Sequence, residues 1–403
     1  MNAHKWQFAS RFRRHAFGWR SDAPIQRIKE ALSEIKQVAC KEPVIAAEGA
    51  VTFLEKLSSA LEQVDSSSGA LGTAVNRAID TLVPIIAKPV VDRRVRQRWL
   101  ERLWEALQND QVPYIELLGE YWGALCVTAE LASAWADEFL PTVEQVWSPQ
   151  ASGHGFFKGT SACLASLYAA GRYEQLLGLL ERAPFPWWGD RRWGVRALAA
   201  LGQQTEALRY AEASQGHAPP SDIARTCEEI LLSSGMIEEA YRRYAVEANQ
   251  STTNLATFRA IARKYPHKPP ADILRDLIAS TPGAEGKWFA AAKDAGLFDL
   301  AIELAMRSST DPHTLIRAAR DYAGTLPDFA VASGLAALRW ISLGHGYEIT
   351  GKDVLDAYHA VMEAASGAGM DEHHVQEQIH EMVSGPEPGN QFVKTILAHR
   401  LSD

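Results

Sequence analysis

The sequence predicts an all-α protein, a helix–turn–helix repeat solenoid of tetratricopeptide-like units with an N-terminal helical layer. Three observations carry this expectation. Glycines recur about every 31 residues, at Gly171, Gly202, Gly235 and Gly296, in AGRYEQL, LGQQTEAL, SGMIEEAY and AGLFDLAI. A small residue follows five places later at Ala207, Ala240 and Ala301, with Leu176 in the first copy, and Leu167, Leu198, Leu231 and Ala292 precede each glycine by four. No stretch alternates apolar and polar residues with the period of two that a half-buried strand needs.

Each part of the unit has a physical role. The glycine suits the left-handed position that closes a helix. Acidic Glu206, Glu238 and Glu239 then suit the start of the next helix. The small alanine lets that helix approach its predecessor, with the residue four before the glycine filling the contact from the other side. The step from Gly235 to Gly296 spans two units, so a turn without glycine is expected near Pro266, and one further step lands on Pro327.

The N-terminal region, 1–148, reads as longer helices without the period. Residues 1–21 are basic and aromatic, and a short basic helix packed on the body is expected there; the same Arg-rich, acid-free composition is also that of a transit peptide. Helices are expected from Asp22 to about Cys40, from Pro43 to about Val64, over 70–87 with a bend at Pro84, and from beyond Pro89 to Asn109. Two more fill 113–147. The Pro-, Gly- and Ser-containing segment 148–155 is the expected boundary. Paired helices follow over 149–343, with Asp311-Pro312 as one start. An acidic helical cap occupies 344–403.

Composition narrows the function classes. Apolar residues make up 47% of the chain, enough for a packed core. The net charge is −8, and residues 353–403 carry nine acids against Lys394 and Arg400, which leaves the remainder nearly neutral. A domain-wide basic footprint for nucleic acid is absent. Cys40, Cys126, Cys163 and Cys227 form no CxxC pair and read as buried thiols in a reducing, cytoplasmic setting. No apolar run approaches 18 residues, so no membrane span is expected.

The strings FRRHAFGWRS, AAEGAVTFLEKLSSALEQVDSSSGALGTAVN, PYIELLGEYWG, RRWGVRALAALG, CEEILLSSG, ATFRAIARKYPHK, EGKWFAAAKDAGLFD and GYEITGKDV run through nearly the whole chain. On these the chain resembles an uncharacterised bacterial family of tetratricopeptide-like helical proteins. The resemblance implies an α-helical repeat fold and a bacterial origin, and carries no catalytic signature. A more distant likeness is to helical regions beside SWIM-type zinc fingers, whose paired Cys and His are missing here.

The densest chemical cluster is Phe185-Pro-Trp-Trp-Gly-Asp-Arg-Arg-Trp193. Arginine beside aromatic rings suits phosphate, carboxylate or an extended peptide. Arg192 and Arg225 each lie ten residues before a repeat glycine and so share a repeat position. Trp187, Trp188, Arg191, Arg192, Arg196 and Arg225 are therefore the expected partner-binding residues. The same residues also suit a packing role, the tryptophans filling a gap between repeats and the arginines pairing with acids. A second cluster, Arg94, Arg98 and Arg102, repeats at four-residue spacing on one helix face, where Glu101 and Glu105 favour a plain solvated surface. His373, His374 and His380 lack the i, i+4 spacing of a zinc helix. Paired acids such as Glu228-Glu229 read as exposed. No Walker A, GxGxxG, GxSxG or kinase motif is present, and no residue set calls for a metal or cofactor.

The function read from these features is a scaffold or adaptor that holds a protein partner in a concave groove, with aromatic anchors and arginines that set orientation. The alternative is a helical-repeat nucleic-acid-binding or repair protein with an Arg/Trp face. A hydrolase would need a site that no motif reveals.

Overall fold

In the computed structural model, residues 4–148, 156–214, 216 and 218–401 are described. Among them every regular element is a helix. The chain forms two compact units, Met1–Ser234 and Gly235–Asp403.

The first unit holds α1 (Asp22–Ala39), α2 (Pro43–Leu61), α3 (Ala70–Ala87), α4 (Arg93–Gln108), α5 (Trp122–Cys126), α6 (Ala129–Val146), α7 (Thr160–Ala169), α8 (Tyr173–Leu180), α9 (Trp188–Ala200), α10 (Gln204–Glu212) and α11 (Pro220–Ser233). Helix α2 is apolar nearly all round. Ala46, Ala50, Phe53, Leu54, Leu57 and Leu61 are sealed from solvent where α2 meets α1, α3 and α4. The basic lead forms a single 3-10 turn, Phe8–Ser10, in place of the expected α-helix. Phe8 and Phe12 insert edge-on against Phe53, with ring centroids 5.4 and 4.9 Å away. Helix α3 is the one described helix long and apolar enough to cross a membrane. Its Leu71, Val75, Ile79, Leu82 and Ile86 are buried, and Arg77 and Asp80 are exposed.

Two tethers hold the ends of α3 and α4. Arg96 is buried, and its guanidinium donates to the carbonyls of Ala87 (3.2 Å) and Pro89 (2.8 Å) and also to Ile86 at the end of α3. A cation at a helix C-terminus satisfies carbonyls that have no intrahelical partner. Arg102 bridges α4 to α2, with both Glu55 oxygens at 2.6 Å, Thr52 Oγ1 at 3.0 Å and Glu48 as a further partner. The expected solvated Arg94/Arg98/Arg102 face is thus corrected at Arg102, because its partners lie on another helix.

The region over 113–147 resolves into three pieces rather than two: a 3-10 helix Glu116–Tyr121, α5 and α6. The 148–155 boundary lies largely outside the described residues. Helices α6 and α7 on its two sides pack together, and one apolar core runs from Phe8 to Ala197. The units therefore divide at Ser234–Gly235 rather than at 148.

The second unit holds α12 (Ile237–Ala248), α13 (Asn254–Lys264), α14 (Pro270–Ala279), α15 (Phe289–Asp294), α16 (Phe298–Arg307), α17 (Pro312–Tyr322), α18 (Pro327–Ser342), α19 (Gly351–Gly367), α20 (Glu372–Val383) and α21 (Asn390–Leu397). Helix α18 is its centre and touches α16, α17, α19, α20 and α21. A side chain at Gly334 would stand 2.3 Å from Val361, so only hydrogen fits where α18 and α19 cross. Helices α19, α20 and α21, within the expected 344–403 cap, pack directly on α18. Asp311 accepts from the Thr314 amide at 2.9 Å and caps α17 as the sequence suggests.

The glycine turns share one geometry. Gly171, Gly202, Gly235 and Gly296 have φ of +73°, +79°, +75° and +74°. The following residues, Arg172, Gln203, Met236 and Leu297, all have φ near −90° and ψ of 52–68°. In three of the turns the residue after glycine donates to the carbonyl five places back: Arg172 to Leu167 (3.0 Å), Gln203 to Leu198 (2.9 Å) and Leu297 to Ala292 (2.9 Å). This is the Schellman closure. The glycine-free turn falls between α13 and α14, and α18 begins at Pro327.

Two smaller expectations change. Cys40 is exposed while the other three cysteines are buried. Glu228 is fully buried, although its neighbour Glu229 is exposed. Ala207, Ala240 and Ala301 are each fully buried. We expect Ala301→Leu to overpack the contacts of α16 and to cost about 1–3 kcal/mol in a denaturant melt of the protein.

Candidate functional site

A cleft of about 870 Å3 opens on the first unit where three loops meet. The first loop follows α4 and is set by Asp110. That side chain is 2% exposed. One carboxylate oxygen accepts from the Ser58 hydroxyl on α2, and the other accepts from the Ile115 amide at 2.8 Å. Tyr114 adds a bond from its hydroxyl to the Val64 carbonyl at 3.2 Å. These contacts fix the path of 110–116 and place Tyr114 and Glu116 on the cleft wall.

The second loop leads into α7. Lys158 donates to the Gln108 and Asp110 carbonyls at 2.9 and 2.6 Å, and so closes the C-terminal end of α4. Phe156 and Phe157 flank it. The third segment, 184–190, is a loop that runs into the first turn of α9; the loop supplies Phe185 and Trp187, and the helix turn supplies Asp190. Phe185 and Trp187 meet edge-on at 6.4 Å. Phe156, Phe185 and Trp187 are 70, 50 and 66% exposed. Large rings held that open around one concavity form an exposed apolar patch on the cleft rim.

The charges in the cleft are unevenly matched. Arg192 forms an ion pair with Glu120, and its Nε donates to the Gly189 carbonyl at 3.1 Å. Asp190 lines the cleft, and no described donor reaches its carboxylate. Burial holds its carboxyl up at about 6; Arg192 pulls down and Glu120 pushes up. Burial also raises Glu116, the charge of Asp110 adds to this, and Lys158 opposes it.

Only one of the six residues read from the sequence, Trp187, lines this cleft. Trp188 is 8% exposed and belongs to the packing of α9. Arg191 stacks on the Tyr210 ring at 4.3 Å, and its buried Nε has no acceptor. Arg192 reaches the cleft only through Glu120. Arg196 lies over Trp193 at 5.0 Å. Arg225 pairs with Asp222 of its own helix at 3.1 Å. The shared repeat position of Arg192 and Arg225 thus does not give them shared surroundings, because each arginine answers the nearest acid or carbonyl.

Sequence reasoning missed Tyr114, Glu116, Trp147, Phe156 and Asp190. The strings PYIELLGE and GFFKG carried a signal, since aromatic residues beside turn residues mark exposed loops. Their meeting with FPWWGD depends on tertiary packing.

A second groove, of about 790 Å3, lies between α4 and α6. It places Arg93 and Arg94 with Trp104 and Trp135, among Glu101, Glu105 and Glu138. No group of three or more metal-ligating side chains occurs among the described residues. No family model, no curated protein and no solved structure matches the chain.

Two outcomes are expected of variants here. Asp110→Ala strands the Ser58 hydroxyl and the Ile115 amide and should cost about 2–4 kcal/mol in chemical denaturation. Asp190→Asn tests the buried carboxylate. A carboxyl raised from about 3.9 unfolded to about 6 folded favours the folded state only while protonated. The wild type should therefore lose stability against Asp190→Asn as pH rises from about 4 through about 6, by up to roughly 2–3 kcal/mol, levelling off at about pH 7. Paired melts across that range measure it.

Proposed function

We propose that this protein is a tetratricopeptide-like helical-repeat scaffold that binds a protein partner through the cleft between loops 113–120, 156–161 and 184–190. The carrying observation is the set of exposed rings, Phe156, Phe185 and Trp187, around one concavity. Aromatic anchors in a preformed recess are where protein interfaces concentrate their affinity. The common Schellman turn at about 31-residue spacing supports the repeat reading, since stacked helical units present extended binding surfaces. The reading keeps the resemblance to the bacterial family and a cytoplasmic place of action.

The charges favour a protein partner over nucleic acid. Arg102 and Arg192, two of the arginines that a nucleic-acid face would use, are paired with Glu48 and Glu55 and with Glu120, and Arg225 lies beside Asp222. Arg93 and Arg94 in the second groove stand among three glutamates. Backbone phosphates need uncompensated positive charge.

The test is affinity capture from the native host with the wild type and with Phe185→Ala/Trp187→Ala, each with circular dichroism to show that it is folded. We expect at least one protein bound by the wild type to be lost with the double variant. Capture of the same proteins by both would remove the cleft from the function. A mobility shift of duplex DNA at physiological salt would favour the nucleic-acid reading instead.

A further inference from the structure

We infer that the cleft takes a basic side chain, and that the partner offers it an extended segment carrying Lys or Arg. This inference rests on the partner-binding reading above and adds the sign of the partner's charge.

The first argument is the account of the cations. Lys158 lines the cleft, but its ammonium is turned to the Gln108 and Asp110 carbonyls at 2.9 and 2.6 Å. Arg192 is held by Glu120 and the Gly189 carbonyl. Each has given two donors to the fold or to Glu120, so neither stands in the cleft as a bare cation. The second argument is the account of the acids. Glu120 is neutralised by Arg192. Glu116 and Asp190 line the same cleft without a hydrogen-bond donor among the described residues. An acidic or phosphorylated segment would meet two carboxylates whose nearest cations, Lys158 and Arg192, already serve carbonyls and Glu120, whereas a basic side chain would bring the donor that Asp190 lacks.

The third argument is the lining. Lys and Arg have long apolar stems below a charged head. Trp187 and Phe185 offer exposed rings for such a stem, and aromatic faces also attract the cationic head. Aromatic faces beside unpaired carboxylates therefore fit both parts of one basic residue. A plain apolar anchor would use the rings and desolvate Asp190 further without giving it a donor, which is unfavourable.

The experiment is selection of a random dodecapeptide library displayed on phage against the full chain, followed by anisotropy titration of one selected, fluorescein-labelled peptide. The expected peptides are enriched in Lys and Arg. The chosen one should bind Asp190→Asn and Trp187→Ala each about tenfold or more weakly, and should weaken as salt is raised. Glu381→Gln, in the second unit, should bind as the wild type does. Loss of binding with Asp190→Asn is not loss of fold if that variant keeps the wild-type circular dichroism and melts at or above the wild-type temperature at pH 7. Neutral or acidic peptides whose binding falls with Trp187→Ala but not with Asp190→Asn would overturn the cationic inference and leave the partner-binding cleft standing. Failure to select any peptide that Trp187→Ala weakens would overturn both.

Discussion

Helix ends leave carbonyls and amides with no partner inside the helix, and a chain built wholly of helices must satisfy them again and again. That requirement organises much of this molecule. At Gly171, Gly202 and Gly296 the glycine turns backwards so that the next amide reaches the carbonyls of Leu167, Leu198 and Ala292. The residue four before each glycine thus has two duties: its side chain packs and its carbonyl closes the turn. At the end of α3 the solution is the buried guanidinium of Arg96, and at the end of α4 it is the ammonium of Lys158. At the starts of α4 and α17 it is Asp92 and Asp311.

The same requirement sets the electrostatics of the cleft. Lys158 and Arg192 both stand close to it, and both give donors to backbone carbonyls. Their donors are given to the fold, so the acids on the wall feel these cations only as nearby charges and not as hydrogen-bond partners. Asp190 then carries a cost: burial destabilises its charged form, and the nearby Arg192 is shared with Glu120. A group that lowers stability in the free protein and lines an open aromatic cleft follows a general pattern, in which sites give up local stability for function. Asp110 is the contrasting case. It is more deeply buried, yet its two oxygens accept from Ser58 and Ile115, and its role is to shape the loop.

The helical class and the turn positions were legible because they depend on local chemistry. A glycine at φ near +75°, or an Asp before Pro312, acts on residues within one turn of itself. The limits of α1, α2 and α3 were legible for the same reason. The division of the chain was not. The loop-like composition of 148–155 suggested a boundary, yet α6 and α7 pack together and share one core. Composition reports where a chain turns, not whether the helices on either side separate. The lead at 1–21 failed similarly: its aromatic residues gain more from inserting Phe8 and Phe12 beside Phe53 than from a regular helix.

The site was half legible, and the reason is specific to arginine. FPWWGD announced itself, and Trp187 is in the cleft. The arginines after it did not follow, because a guanidinium offers five donors on a long stem and can satisfy whichever acceptor packing brings near. For Arg192 that acceptor is Glu120, on a 3-10 helix distant in sequence; for Arg225 it is Asp222, one turn away; Arg191 and Arg196 instead turn to Tyr210 and Trp193. Equal spacing from a turn glycine cannot fix the fate of such a side chain, since the neighbours at each turn differ. A count of arginines therefore does not give the charge that the cleft presents. What decides that charge is which groups the fold has already paired, and here the carboxylates of Glu116 and Asp190 line the cleft with cations nearby but no hydrogen-bond donor among the described residues.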